Sequence, residues 1–195
     1  HVVSSSKFAR KAEEAGCDAV VAEGFEAGGH NGREETTTLV LIPAVAAAVH
    51  IPVIAAGGIA TGRQAFAAMV LGAEGAQLGT RFVASEEASS HLHFKEAVLK
   101  ATEGDTQLSL KQLTPVRLLK NRFFQDVQAA ELRGAPPEEL IKLLGRARAK
   151  KGMFEGDLDE GELEIGQVAA LVRDILPAGQ IVEEVWKEWE AALEN

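Results

Sequence analysis

Cysteine is almost missing from this sequence: Cys17 stands alone among 195 residues. No intrachain disulfide can form, and a reducing, cytoplasmic setting is the expectation. An apolar run of about 18 residues is also missing, which argues against a membrane-spanning helix. The start lacks the charged, apolar and small-residue succession of a secretion signal, so secretion is not expected. Basic stretches interleaved with aromatics are absent too. Lys and Arg number 20 against 29 Asp and Glu, a formal net charge of −9. Such a surface repels phosphate backbones and excludes nucleic acid as the expected partner. It offers no general attraction for anionic substrates either, so a phosphate-bearing ligand would have to be held locally by backbone amides. What is present is ordinary for a soluble globular chain: 46% hydrophobic and 25% charged residues. The length suffices for one core, alone or with an appended helical piece.

The sequence divides near residue 105. Before it, short apolar runs alternate with small-residue helical segments and glycine punctuation. Residues 7–15 predict a helix with Phe8, Ala12 and Ala15 on one face, after the cap candidates Ser4, Ser5 and Ser6. Gly16 is placed to end it in a left-handed conformation. Residues 19–22 then read as a buried strand. A second unit has a helix over 41–49 and a strand over 52–56. In the third, Thr61 caps a helix through Leu71, Gly72 ends it, and 75–78 form a strand. Helix and strand recurring at about 25 to 30 residues imply parallel strands joined by crossovers. Their continuously apolar character implies cover on both faces. A barrel or an open doubly wound sheet fits this pattern equally.

Beyond residue 105 the pattern turns helical, over 116–132, 137–149, 162–175 and 181–193. In the last, Ile181, Val185, Trp189 and Leu193 form one stripe. This part reads as a helical cap or lid. Val2-Val3 reads as the end of a further strand. At most four barrel-type strands are visible, whereas a closed (β/α) barrel needs eight. The sheet is therefore open, or the chain lacks an N-terminal half; a start inside a strand favours the second.

Three glycine-bearing loops follow three successive strands, and in parallel α/β folds such loops share one ligand-binding face. The first runs Glu23-Gly24-Phe25-Glu26-Ala27-Gly28-Gly29-His30-Asn31-Gly32. Its glycines allow close backbone approach to a ligand. His30 stands among them, where an imidazole can act as acid, base or hydrogen-bond donor. A lone histidine more often caps a turn; the two neighbouring glycine loops on the same face favour a functional role. The second loop is Ala56-Gly57-Gly58-Ile59 and the third Gln77-Leu78-Gly79-Thr80-Arg81-Phe82. Backbone N–H groups of Gly58, Gly79 and Thr80 could converge on a phosphate, aided by the helix N-termini that follow. One glycine pair would be turn punctuation; two, about 21 residues apart after consecutive strands, point to a phosphate site.

Other candidates carry less. His91 and His93 lack an Asp, Glu or Cys partner at ligand spacing and read as surface residues. Cys17 has no activating neighbour and reads as core. Asp157, Asp159, Glu160, Glu162 and Glu164 miss the strict positions of a calcium loop and read as a solvated acidic face.

The three loops, with Ile51-Pro52-Val53-Ile54-Ala55 ahead of the second and Gly72-Ala73 ahead of the third, resemble the nitronate monooxygenase family over residues 1–100. That family includes 2-nitropropane dioxygenases and the flavin-dependent enoyl-acyl-carrier-protein reductase II. The resemblance implies a TIM-type (β/α) barrel, here its C-terminal half over residues 1–104, with a helical cap over 105–195. It implies an FMN-dependent oxidoreductase acting on a small molecule, a nitronate or an enoyl thioester, with NAD(P)H as electron donor in the reductase branch and a homodimer as an assembly. Gly58, Gly79 and Thr80 would hold the FMN phosphate, with Gln77 and Leu78 beside it, while Glu23, Gly28 and Gly29 would line the flavin. His30 matches the family's active-site histidine. Nitronate oxidation with O2 is the leading expectation. The alternatives are enoyl-thioester reduction, an NADH:quinone reductase, a non-redox phosphate-binding isomerase or synthase, or an incomplete, non-catalytic half. The softer likeness of Val116-Arg117 and Lys120-Asn121, and Glu23 where many nitronate monooxygenases have glutamine, lean towards the reductase branch.

Overall fold

In the computed structural model, which describes residues 1–194, the first hundred residues build a parallel sheet with helices packed on one face. Its strands are β1 (Val2–Val3), β2 (Val20–Glu23), β4 (Val53–Ala56) and β5 (Gly75–Gln77), in the spatial order β1-β2-β4-β5. Three helices make the crossovers: α1 (Ser6–Glu14), α2 (Thr38–Ala46) and α3 (Gly62–Val70). The local signals worked as physical chemistry says they should. Ser5 accepts from the Phe8 N–H at the start of α1, and Gly16 follows its end at φ +87°. Thr61 and Gln64 form a reciprocal capping box on α3, after which Gly72 turns at φ +105°. Helix α2 begins three residues before the predicted start, because Thr37 serves as its N-cap and the helix runs through Pro43.

Cover of the sheet is unequal, unlike the two-sided cover the apolar strands implied. Val20, Ala22, Val53 and Ala55 join one core with residues of the three crossover helices. Val21 and Ile54, cross-strand partners on the opposite face, are only half-buried.

The second part departs from the all-helical reading. Residues 116–121 are not helix: β6 (Thr106–Ser109) and β7 (Val116–Leu119) pair antiparallel, and a two-residue strand β3 (Gly29–His30) pairs on β7. The helix predicted there starts only at α6 (Arg122–Leu132), where Asn121 caps it. The apolar period of α6 had absorbed the four residues of β7. Residues 162–175 are also not one helix but an extended stretch, with Glu164 bridged to Leu118, followed by a 3-10 turn (Gln167–Leu171). Two further helices stand where the sequence pattern put them, α7 (Pro137–Leu144), shorter than expected, and α8 (Ala178–Leu193), while α5 (Leu92–Lys100) is one the pattern did not announce. Helix α8 returns to the first part and packs on α3. Glu188 accepts from the Gly62 N–H at 2.7 Å, and the Trp189 indole N–H points at Met69 Sδ at 3.1 Å. No helix among the described residues is long and apolar enough to cross a membrane.

Candidate functional site

Because β2, β4 and β5 run parallel, their carboxyl ends deliver Glu23, Ala56 and Gln77 to one level. The loops beyond them meet backbone to backbone. The Gly24 N–H donates to Ala56 O at 2.9 Å, and Gly57 sits at φ +84°, where a Cβ would come within 2.6 Å of Gly24 O. Only glycine satisfies both the positive φ and this approach. The Glu26 carboxylate accepts the Thr38 N–H at 3.0 Å and its hydroxyl at 3.0 Å. The first loop is thereby anchored to the start of α2.

A cavity of about 220 Å³ opens above these ends. Glu23, Gly28, Gly58, Gln77, Gly79 and Thr80 line it, six of the residues singled out from sequence. The N–H groups of Gly58, Gly79 and Thr80 have no hydrogen-bond partner among the described residues. At Gly79 an added Cβ would meet nothing within 4 Å, so the space beside it is open. Unpaired amides around open space are a fitting cradle for a phosphate. The short helix α4 (Thr80–Val83) follows, and the Thr80 hydroxyl accepts from the Gly166 N–H at 3.0 Å.

Three predicted residues lie elsewhere. The Leu78 side chain turns into an apolar groove with Met69, Phe82, Trp186 and Trp189. Gly29, at φ +75°, is buried behind the lining with Glu164 Oε2 against it, 2.6 Å from where a Cβ would be. His30 is exposed and outside the lining, opposite Val116 in the β3–β7 ladder and within electrostatic reach of the lining residue Glu164. Its backbone is held by Asn31, whose side chain donates to Ala27 O and Gly29 O, each at 3.0 Å, while its N–H donates to Pro115 O at 2.8 Å.

The second part closes the cavity with Met153, Glu164, Ile165, Gly166 and Val168. Gly28 is fixed by this closure, since a Cβ there would overlap the backbone of Ile165 and Gly166. The Gln167 N–H adds a bond to Glu26 O at 2.9 Å. Arg117 is 2% exposed, donates to Phe25 O at 2.7 Å, and stacks over the Phe25 ring at 4.6 Å. It ties the hairpin to the first loop; burial pushes its pKa down, against the opposing pull of Glu26 and Glu35.

The acidic run is not a solvated face at its end. In an extended stretch alternate residues share a side. Leu163 and Ile165 therefore enter the core, while Glu162 and Glu164 share the opposite side, with Glu164 lining the cavity. Glu162 is 8% exposed, and burial first, then Glu164, pushes its carboxyl up to about 7 against the pull of Arg148. Burial raises Glu164 as well, opposed by His30. Burial alone raises Glu23. The helical misreading of 162–175 hid this pair; an i, i+2 spacing of acids between buried Leu163 and Ile165 was the available signal. Among the described residues no group of three His, Cys, Asp or Glu is placed to hold a metal ion.

His91 caps the start of α5, and Cys17 packs at the edge of the first core. Neither lines the cavity, although the His91 N–H donates to the O of the lining residue Met153 at 2.7 Å.

A family model described as nitronate monooxygenase matches residues 1–188. A nitronate monooxygenase of Pseudomonas aeruginosa is 36% identical over 184 residues, which cover 90% of this chain and 52% of the relative. The structure of FabK from Thermotoga maritima superposes with a TM-score of 0.93 at 44% identity, over 99% of this chain and 61% of that one. A nitroalkane oxidase from Streptomyces ansochromogenes gives a TM-score of 0.80 at 35% identity, over 99% and 57% of the two chains. Both structures are of the TIM-barrel type, and this chain is a partial (β/α) barrel with its parallel sheet. It spans about half the length of the curated relatives it matches.

Proposed function

The chain belongs to the nitronate monooxygenase family, and from that premise we propose that it carries the FMN-holding and His30-bearing part of an oxidoreductase that oxidises alkyl nitronates with O2. The observation that carries this reading is the cavity at the strand ends, with unpaired amides at Gly58, Gly79 and Thr80 and open space at Gly79. The amides would take the FMN phosphate. Glu23, Gly28 and Gln77 would line the ring system, Gly29 would back it, and Leu78 would support the loop from its far side. When bound, FMN supplies the electron-accepting chemistry. Ile59, Val83, Ile165 and Val168 give the same cavity an apolar lining. His30 would donate a hydrogen bond to the negatively charged substrate oxygen. Residues 1–104 would supply the barrel portion, and the part beyond residue 105, hairpin included, would act as the cap.

The higher structural likeness to FabK favours a second reading, an NAD(P)H-dependent enoyl-thioester reductase on the same site. Anaerobic absorption spectroscopy with added FMN separates the two. Flavin bands that bleach with propane-2-nitronate alone support the monooxygenase. Bleaching only with NADH or NADPH shifts the assignment to the reductase. Failure to take up FMN refutes both.

A further inference from the structure

The cavity presents three carboxyl side chains to any anion that enters, Glu23, Glu26 and Glu164, and no Lys, Arg or His among the described residues that line it. For a site read as taking an anionic substrate, that charge is of the wrong sign. The Glu26 carboxylate is already engaged, accepting hydrogen bonds from the Thr38 N–H and hydroxyl. Glu164 is differently placed. Its carboxylate lies against Gly29, one residue before His30, and among the described residues has no hydrogen bond or ion pair of its own. Its backbone is pinned by the bridge to Leu118 and by the neighbouring Gly166–Thr80 bond, so the group stays at the cavity wall. Glu162 shares its side of the chain, with Arg148 near Glu162. Arg117, on the neighbouring strand, is turned to Phe25, and His30, exposed, lies within electrostatic reach of Glu164 and favours its charged form.

We propose that Glu164 takes up a proton when an anionic substrate binds beside the flavin in this cavity, changing from a repelling charge into a hydrogen-bond donor to that substrate. The proton comes from solvent and forms an O–H bond on the carboxylate; no electron moves. A second negative charge beside a half-buried carboxylate favours its protonated form, and a protonated carboxyl gains a donor where the anion needs one. Glu164 thereby sets both the pH range of binding and the preference for acceptor-rich ligands. The inference rests on the reading of an anionic substrate at this site.

Calorimetric titration with butanoate, an unreactive anion close to a nitronate in charge and size, tests it. The protein is saturated with FMN and titrated at pH 7 in two buffers of different ionisation enthalpy. The wild type should take up about one proton per anion bound. E164Q, which mimics the protonated group, should take up none and bind butanoate about tenfold more tightly than wild type at pH 8. E164D should restore the proton uptake. Absent uptake in the wild type, unchanged uptake in E164Q, or refusal of butanoate by both proteins would overturn the proposal. The same titration without FMN keeps the two readings apart. A protein that rejects FMN but shows Glu164-dependent uptake loses the flavin assignment alone, and one that is reduced by nitronate without uptake loses the proton linkage alone.

Discussion

Glu162 and His30 both act on Glu164 but ask different things of the chain. Glu162 is a buried carboxyl whose folded-state midpoint, about 7, lies above its ordinary value of 4.5. The folded protein therefore binds this proton more tightly than the unfolded chain. The stability tied to it is complete below about 4.5 and is lost as pH rises through 7. A shift of this size is worth on the order of 3 kcal/mol for a group so little exposed. E162Q should flatten the decline of stability between pH 5 and pH 8 by roughly that amount in urea unfolding. An unchanged slope would mean the carboxyl is solvated when folded. His30 should behave as a functional residue with no structural duty, since its side chain is exposed and Asn31 secures its backbone. H30Q is expected to retain FMN and thermal stability while losing about a hundredfold or more in turnover. Equal turnover would remove His30 from the mechanism.

At the scale of elements, the contact between α3 and α8 joins the two parts. Gly62 begins α3, and a Cβ there would overlap the α8 backbone at Val185 and Trp189. The Glu188 carboxylate lies at the positive end of α3 and accepts its first N–H. E188A should lower stability by about 1 kcal/mol, measured as a fall in Tm. G62A should cost more, because α8 must move bodily, and hydrogen exchange should then quicken along α8 rather than along the sheet. Equal protection of α8 in G62A would show that the two helices separate freely. The helices and parallel strands of the first part were legible because each carried its own local signals: Ser5 and Thr61 as caps, Gly16 and Gly72 as terminators, apolar runs between them. The β6–β7 hairpin was not. Arg117 belongs inside only because Phe25 O and the Phe25 ring, 92 residues away in sequence, receive its guanidinium. No local pattern of Val116-Arg117-Leu118-Leu119 announces that partner.

For the whole molecule, flavin binding is a stability statement. A ligand that binds only the folded state at a hundredfold excess over its Kd adds about 2.7 kcal/mol. Saturating FMN should therefore raise Tm by about 5 °C or more in a chain of this size. A Tm insensitive to FMN would contradict the cavity assignment.

The sequence by itself determined the order of helices and parallel strands, the three glycine loops and their common face, and six of the residues that line the cavity. Those features follow from short-range physics: capping, left-handed turns and the direction of parallel strands. Tertiary structure alone decided that His30 stays exposed outside the cavity lining, that Leu78 faces the Trp186 and Trp189 groove, and that Glu162 and Glu164 turn inwards. Each of these depends on a segment distant in the chain, β7 for His30, α8 for Leu78, and the Gly28–Ile165 approach for the two acids. The charge of a carboxyl, unlike the start of a helix, is set by what the fold brings beside it.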